Sequence, residues 1–285
     1  MPKIFIAAII ATFFSLFFYA SYVFRIGDKK DYIRLLTVFL ITLPLCPLAY
    51  YLVRLPLDSL IRNALSQDSF NYRFIITWYA PLTEEIVKLI PFFLPFLFRR
   101  ISSKNFVSFG MAAGLGFGIG QIWLSAFRTS RLSQNFLLPF GYVLLGFVAE
   151  RLMVCFLHGT FTSFVLWRWK RKWVWGLAGA VILHYLANLP IHLSTWNIGL
   201  LSPSVWRYVL PIYLVVFFMA MVLLLVFFRA GTEGLLNIFS KAKITCPTCQ
   251  KQYERSYWMT HLSNKGHEKC PLCGSQNTID IKKRP

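Results

Sequence analysis

The sequence predicts an all-α polytopic membrane protein of about seven transmembrane helices, followed by a small cytoplasmic zinc-ribbon module. Three observations predict it. Hydrophobic residues make up 56% of the 285 and charged residues only 14%. The apolar residues gather in segments near the ~20 residues that a bilayer-spanning helix needs. Beyond the last segment, four cysteines stand as two C-x-x-C pairs.

The segments run over about 4–24, 34–53, 74–98, 106–127, 137–167, 173–193 and 205–228. The first is longer than the apolar run of a signal peptide, follows only Lys3 and lacks a small-x-small cleavage site, so it is expected to remain as a helix. The third holds Glu84, Glu85 and Lys88 among Phe, Leu, Ile and Pro, with Pro81, Pro91 and Pro95 around them. Prolines there free backbone carbonyls and predict an irregular helix that lines a cavity. The fourth contains GLGFGIG at 114–120. No strand precedes it, so a nucleotide loop is not expected, and the glycines, with Gly110, are expected to let helices pack closely.

The net charge of +19 is distributed by loop. Arg25, Lys29, Lys30 and Arg34 form one basic cluster; Arg99, Arg100 and Lys104 a second; Arg168, Lys170, Arg171 and Lys172 a third; and a fourth runs from Arg229 onward. The loops between are poorer, with Arg54, Arg62 and Arg73, then Arg128 and Arg131, then Arg207. This alternation predicts a multi-pass protein of the cytoplasmic membrane, surrounded by lipid, with its N-terminus outside and its C-terminus in the cytoplasm. Topology accounts for the charge, and nucleic acid is not an expected partner.

Of the six cysteines, Cys46 and Cys155 lie in apolar spans and read as packing residues. Cys246 and Cys249 (CPTC) and Cys270 and Cys273 (CPLCG) have the spacing of a four-thiolate structural Zn2+ site, closed to substrate. Disulfides are the competing pairing, disfavoured in reducing cytoplasm. His261 and His267 lie between the pairs, but the four cysteines already complete a shell. The expected organisation is a membrane domain over 1–230, a linker over 231–240 and the ribbon over 241–285.

Only eleven residues are acidic, and Glu84, Glu85 and Glu150 fall inside spans. Lys88, Arg151, His158, His184 and the amides Gln121 and Asn188 join them at membrane depth. Lipid cannot solvate such groups, so they must face one another or a wet cavity. Glu84 and Lys88 are four apart and are expected to pair, leaving Glu85 free. Glu150 and Arg151 could pair as neighbours, Arg151 and His158 lie two turns apart on one face, and His184 and Asn188 one turn apart. Glu85, His158 and His184 all lie roughly 9–13 residues from their cytoplasmic ends, one layer at 1.5 Å per residue. A carboxylate and two imidazoles at one level can bind a metal or activate water. The bland alternative is a set of ion pairs and packing histidines.

E-E-x-x-K in the third span, Phe117-x-x-x-Gln121 in the fourth, Arg151-x6-His158 in the fifth and His184-x-x-x-Asn188 in the sixth resemble the PrsW-type intramembrane proteases of the CAAX-prenyl-protease-like superfamily. The resemblance covers residues 74–193. It implies hydrolysis of a peptide bond in a membrane-embedded protein substrate, by a metallo- or a glutamate-type mechanism. It further implies Glu85 as the general base, Glu84 beside it held by Lys88, and His158 and His184 binding a catalytic divalent metal or orienting water and stabilising the oxyanion. Asn188 would be an amide donor to that oxyanion or to His184. The family carries Glu where this chain has Gln121, and Glu150 is the nearest substitute carboxylate. The alternative is a catalytically inactive scaffold or sensor that binds a cytoplasmic protein through its ribbon. A transporter is weaker, because no repeated halves are visible.

Overall fold

The computed structural model describes residues 3–26, 29–65, 69–103, 105–131, 140–195, 203–236, 241–256 and 266–279. Lys104, His261, the start of the segment expected at 137 and linker residues 237–240 lie outside them. The chain divides into two compact units, Met1–Met221 and Val222–Pro285, with the division inside the last long helix.

The first unit is helical. Helix α1 (Lys3–Ser15) continues through a wider turn at Leu16–Ala20 into α2 (Ser21–Ile26). After a tight turn at Lys29–Asp31 come α3 (Tyr32–Thr42) and α4 (Leu45–Ala49), parted by a turn at Pro44. A second wide turn, Tyr50–Arg54, leads into α5 (Leu55–Ala64). Then follow α6 (Phe70–Val87), a 3₁₀ turn at Ile90–Phe93 and the short α7 (Pro95–Phe98). The long helices α8 (Phe106–Ser130), α9 (Phe140–Trp167), α10 (Trp169–Thr195) and α11 (Pro203–Leu236) complete the order, with α10 kinked at Lys172.

Five helical stretches among the described residues are long and apolar enough to cross a membrane: Lys3–Val23, Lys29–Ala64, Phe106–Ser130, Lys172–Leu193 and Tyr208–Arg229. Large apolar side chains such as Phe13, Phe17, Leu52, Ile212 and Val216 stand exposed on them. So much exposed apolar surface is compatible with a membrane protein and unlike a water-soluble one. Helix α8 lies at the centre, with 89% of its most apolar stretch buried against 17% for Tyr208–Arg229. Its glycines put it there. A Cβ on Gly110 or Gly114 would run into Ser163 or the backbone of His158 and Gly159 on α9. One on Gly116 would meet the Phe39 carbonyl of α3 on another side. Close packing, as expected from GLGFGIG, brings Gln121 and His158 to one level.

The segment expected as one span over 74–98 is not a single helix. Helix α6 stops at Val87, and Lys88 forms its cap, its N–H reaching the Glu84 carbonyl at 3.1 Å. The cause is Pro91. Its nitrogen has no hydrogen to donate, and its ring collides with the carbonyl four residues back, that of Val87. The acidic pair therefore sits on a helix terminus within the bundle.

The described part of the second unit after α11 is two antiparallel hairpins. Strand β1 (Lys241–Thr245) pairs with β2 (Gln252–Ser256), and β3 (Gly266–Lys269) pairs with β4 (Gln276–Ile279). Each hairpin turn is one of the C-x-x-C pairs.

Candidate functional site

The last turn of α6 brings Glu84, Glu85 and Lys88 against α8, α9 and α10. Glu84, Glu85, Lys88, His158 and His184 are all buried, none more than 6% exposed. Such burial is tolerable only if charges are matched and polar atoms bonded.

The pairing differs from the one the spacing predicts. Lys88 Nζ donates to Glu85 Oε1 at 2.6 Å, three residues away, rather than to Glu84. Glu84 instead takes Arg54, whose Nη1 reaches Glu84 Oε1 at 2.7 Å. Arg54 ends the wide turn before α5 and is 24% exposed at its side chain. It completes a set of two carboxylates and two cations, so the site is neutral with both imidazoles neutral. Nothing in the local pattern singles out Arg54, which reads as a loop charge.

The two histidines are held differently. His184 Nδ1 lies 2.7 Å from Glu85 Oε1. A carboxylate only accepts, so Nδ1 carries a proton, and in the neutral imidazole Nε2 keeps its lone pair. That Nε2 faces Glu84 Oε2 at 3.8 Å. Glu84 Oε2 and Glu85 Oε2 are buried and have no hydrogen-bond partner among the described residues. Two acceptors therefore face one another across a gap that one small bridging species would span.

His158 is engaged on both sides. Its Nδ1 is 3.2 Å from Lys88 Nζ, and its Nε2 is 3.0 Å from Gln121 Oε1. An ammonium only donates, so Nδ1 accepts and Nε2–H donates to the amide oxygen. Phe117 and Phe161 close the site, their ring centres 5.5 and 5.9 Å from Lys88 Nζ. Phe161 also stacks on His184 at 5.4 Å. Next to His184, Tyr185 stacks on Trp78 of α6 at 3.8 Å, fixing α10 against α6.

Two expected members lie apart. Arg151 pairs with its neighbour Glu150 and reaches Ser125 Oγ at 3.3 Å, two turns along α9 from His158. Glu150 is thereby committed to Arg151 and does not replace the carboxylate that Gln121 lacks. Asn188 makes no hydrogen bond to the cluster among the described residues.

For a divalent ion, Glu84, His158 and His184 offer ligand atoms that all lie within 4.8 Å of one another. Glu84 Oε2 and His184 Nε2 fit such an ion as they stand. His158 does not, because Lys88 and Gln121 occupy its two nitrogens.

The second cluster is Cys246, Cys249, Cys270 and Cys273, four free thiols. Cys246 Sγ and Cys273 Sγ are 3.7 Å apart, and Cys249 Sγ and Cys270 Sγ 4.0 Å. Disulfide sulfurs lie about 2 Å apart. A tetrahedral zinc with Zn–S of about 2.3 Å sets its sulfurs about 3.8 Å apart, so these four fit the ion. The two turns repeat one design. Cys246 N–H reaches the Lys251 carbonyl at 3.0 Å and Cys270 N–H that of Ser275 at 2.9 Å. The backbone N–H of Cys249, then that of Thr248, pulls the Cys246 thiol down to about 5 despite its partial desolvation. Cys273 is lowered by the Ser275 hydroxyl and backbone. Cys249 has a Lys251 backbone bond working the same way, but desolvation and the neighbouring thiols push it up to about 11. Cys246 is thus a thiolate at neutral pH, the form that ligates metal. All four ligands come from the protein, which leaves no open position for catalysis.

No protein-family model, no curated protein and no solved structure matches this chain.

Proposed function

We propose that this chain is an intramembrane endopeptidase that hydrolyses a peptide bond of a membrane-embedded protein. One observation carries the reading: Glu84 Oε2, buried and without a hydrogen-bond partner among the described residues, faces Nε2 of the buried His184 at 3.8 Å, and in the neutral imidazole both are acceptors. A water seated there gives one proton to each acceptor and presents its oxygen lone pairs to a carbonyl. Glu85 holds His184 in the tautomer that leaves Nε2 basic, as the carboxylate of a catalytic triad does. Glu84 or His184 takes the proton as the water attacks and returns it to the leaving amine. Glu85, expected as the base itself, becomes the residue that orients it. Arg54 Nε is a buried donor with no hydrogen-bond partner among the described residues, on the guanidinium whose Nη1 holds Glu84 Oε1. It is suited to stabilise the oxyanion, the role expected of Asn188.

In a metal-assisted form, Glu84 and His184, with His158 released from its present bonds, would hold a divalent ion that polarises the scissile carbonyl. Gln121 favours a second reading. An amide in place of a carboxylate gives His158 a neutral partner, so the same fold would serve as an inactive membrane scaffold whose ribbon docks a cytoplasmic protein.

The test is made in cells expressing the parent or a variant, with membrane peptides quantified by mass spectrometry. Parent-dependent cleavage within single-pass segments is expected, reduced ~10²-fold or more by Glu84→Gln and by His184→Gln, the size of a general-base effect. Fragments that appear equally with parent and variants exclude the peptidase and leave the scaffold.

A further inference from the structure

We infer that the Lys88 ammonium holds the place of a metal ion in the buried site, and that the membrane unit binds no divalent cation. Lys88 Nζ lies 2.6 Å from Glu85 Oε1 and 3.2 Å from His158 Nδ1, a carboxylate and an imidazole converging on one cation as they would on a metal. The residue has no exposed surface, and its charge lies beside the Phe117 and Phe161 rings at 5.5 and 5.9 Å. A fixed cation thus supplies the positive charge.

The hydrogen-bond directions make the two cations exclusive. With Nδ1 accepting from Lys88, His158 must carry its proton on Nε2, and Gln121 Oε1 is there to receive it at 3.0 Å. Neither nitrogen has a lone pair left. For His158 to ligate through Nε2, its proton would move to Nδ1 and point at an ammonium that cannot accept it. For it to ligate through Nδ1, Lys88 would have to give up its contact with that nitrogen. Of the three residues whose ligand atoms converge, Glu84, His158 and His184, two keep a free donor, Glu84 Oε2 and His184 Nε2, where catalytic zinc sites use three protein ligands. Charge agrees. Arg54 and Lys88 balance Glu84 and Glu85, so an added divalent ion would stand uncompensated in low dielectric.

Gln121 acquires a function on this view. It is a positioning residue that accepts the hydrogen bond of His158 Nε2–H without adding a third negative charge. The inference deepens the peptidase reading, and its consequence for the reaction rests on that reading. The metal count does not, since it is the same whether or not the protein cleaves.

The experiment uses the full chain in detergent, with Cys246→Ser and Cys249→Ser removing the ribbon's site. Metal is measured by mass spectrometry after incubation with zinc and again with cobalt(II). Less than a tenth of an equivalent is expected. One equivalent that Glu84→Gln abolishes would overturn the inference, yet would leave the peptidase in its metal-dependent form. In the same background, Lys88→Ala leaves Glu85 and His158 without their cation and is expected to gain one equivalent of cobalt, with the visible absorption of a nitrogen- and oxygen-ligated ion. Lys88→Arg, which keeps the charge, is expected to gain none. A folded Lys88→Ala protein, by circular dichroism and gel filtration, that binds no cobalt would show that Lys88 is not what excludes the metal. If Lys88→Ala does not fold, the parent count alone decides. Absence of cleavage with absence of metal removes the peptidase and leaves this inference standing.

Discussion

Gln250 and Gly274 hold the same place in the two cysteine turns, one residue past the second cysteine, and only one of them suits it. Both have left-handed backbone, φ 58° at Gln250 and 73° at Gly274. A side chain there costs roughly 1–2 kcal/mol. Gln250 recovers part of this through its side-chain amide, which donates to the Pro247 carbonyl at 3.0 Å on the surface. Gln250→Gly is therefore expected to stabilise the ribbon by about 1 kcal/mol, read as zinc held roughly fivefold more tightly in competition with a chelator. An unchanged or weaker affinity would mean that the amide bond offsets the strain fully. The repeat is legible in the sequence because the ligand spacing of a cysteine turn is local. The buried cluster is legible only in part. Glu84, Glu85, Lys88, His158 and His184 are conspicuous because charge is costly among apolar residues. Their pairing is not, because Arg54 arrives from thirty positions upstream and takes the carboxylate that i,i+4 spacing assigns to Lys88. The same spacing gives Asn188 a place beside His184, but a shared helix face does not decide what the opposite helix offers.

At the scale of the element, α8 shows how sequence becomes position. Gly114 meets the His158–Gly159 backbone of α9, and those contacts carry His158 to Gln121 and Lys88. Gly114→Ala is expected to push α8 from α9 and cost about 1–3 kcal/mol, as overpacking does in a filled core. It should lower the unfolding temperature in detergent. Gly146→Ala on α9 is the opposite case. A Cβ there meets nothing within 4 Å, so the change should raise that temperature by removing a glycine from a helix interior. Both shifting the same way would mean that helix propensity, not packing, governs α8. The glycine pattern announces close packing but not the partner, since α3 and α9 are addressed by different glycines of one helix. The end of α6 is foreshadowed by Pro91 and Pro95, whereas an apolar run over 74–98 conceals it: hydropathy measures solvent preference, and proline acts through the backbone.

At the scale of the molecule, the open quantity is the number of crossings. The five apolar stretches and the expected seven spans differ by α6 and α9, the helices that carry the ionisable residues Glu84, Glu85, Arg151 and His158. Both counts are odd, so reporters at the termini cannot separate them. The loop at Ser103 can. With seven crossings and the N-terminus outside, the segment with Arg99 and Arg100 faces the cytoplasm together with Arg168 and Lys172, as the positive-inside asymmetry requires. With five, it faces the outside. Ser103 is exposed, and so is Arg131 at the far end of α8. Single cysteines at the two positions, in a chain whose own cysteines are changed to serine, report their sides by labelling intact cells with an impermeant maleimide. Ser103→Cys is expected to be protected and Arg131→Cys labelled. The reverse would leave α6 and α9 short of crossing. The carboxylates would then lie in a pocket open to the outside, and a water would reach Glu84 and His184 from that side rather than through the bilayer.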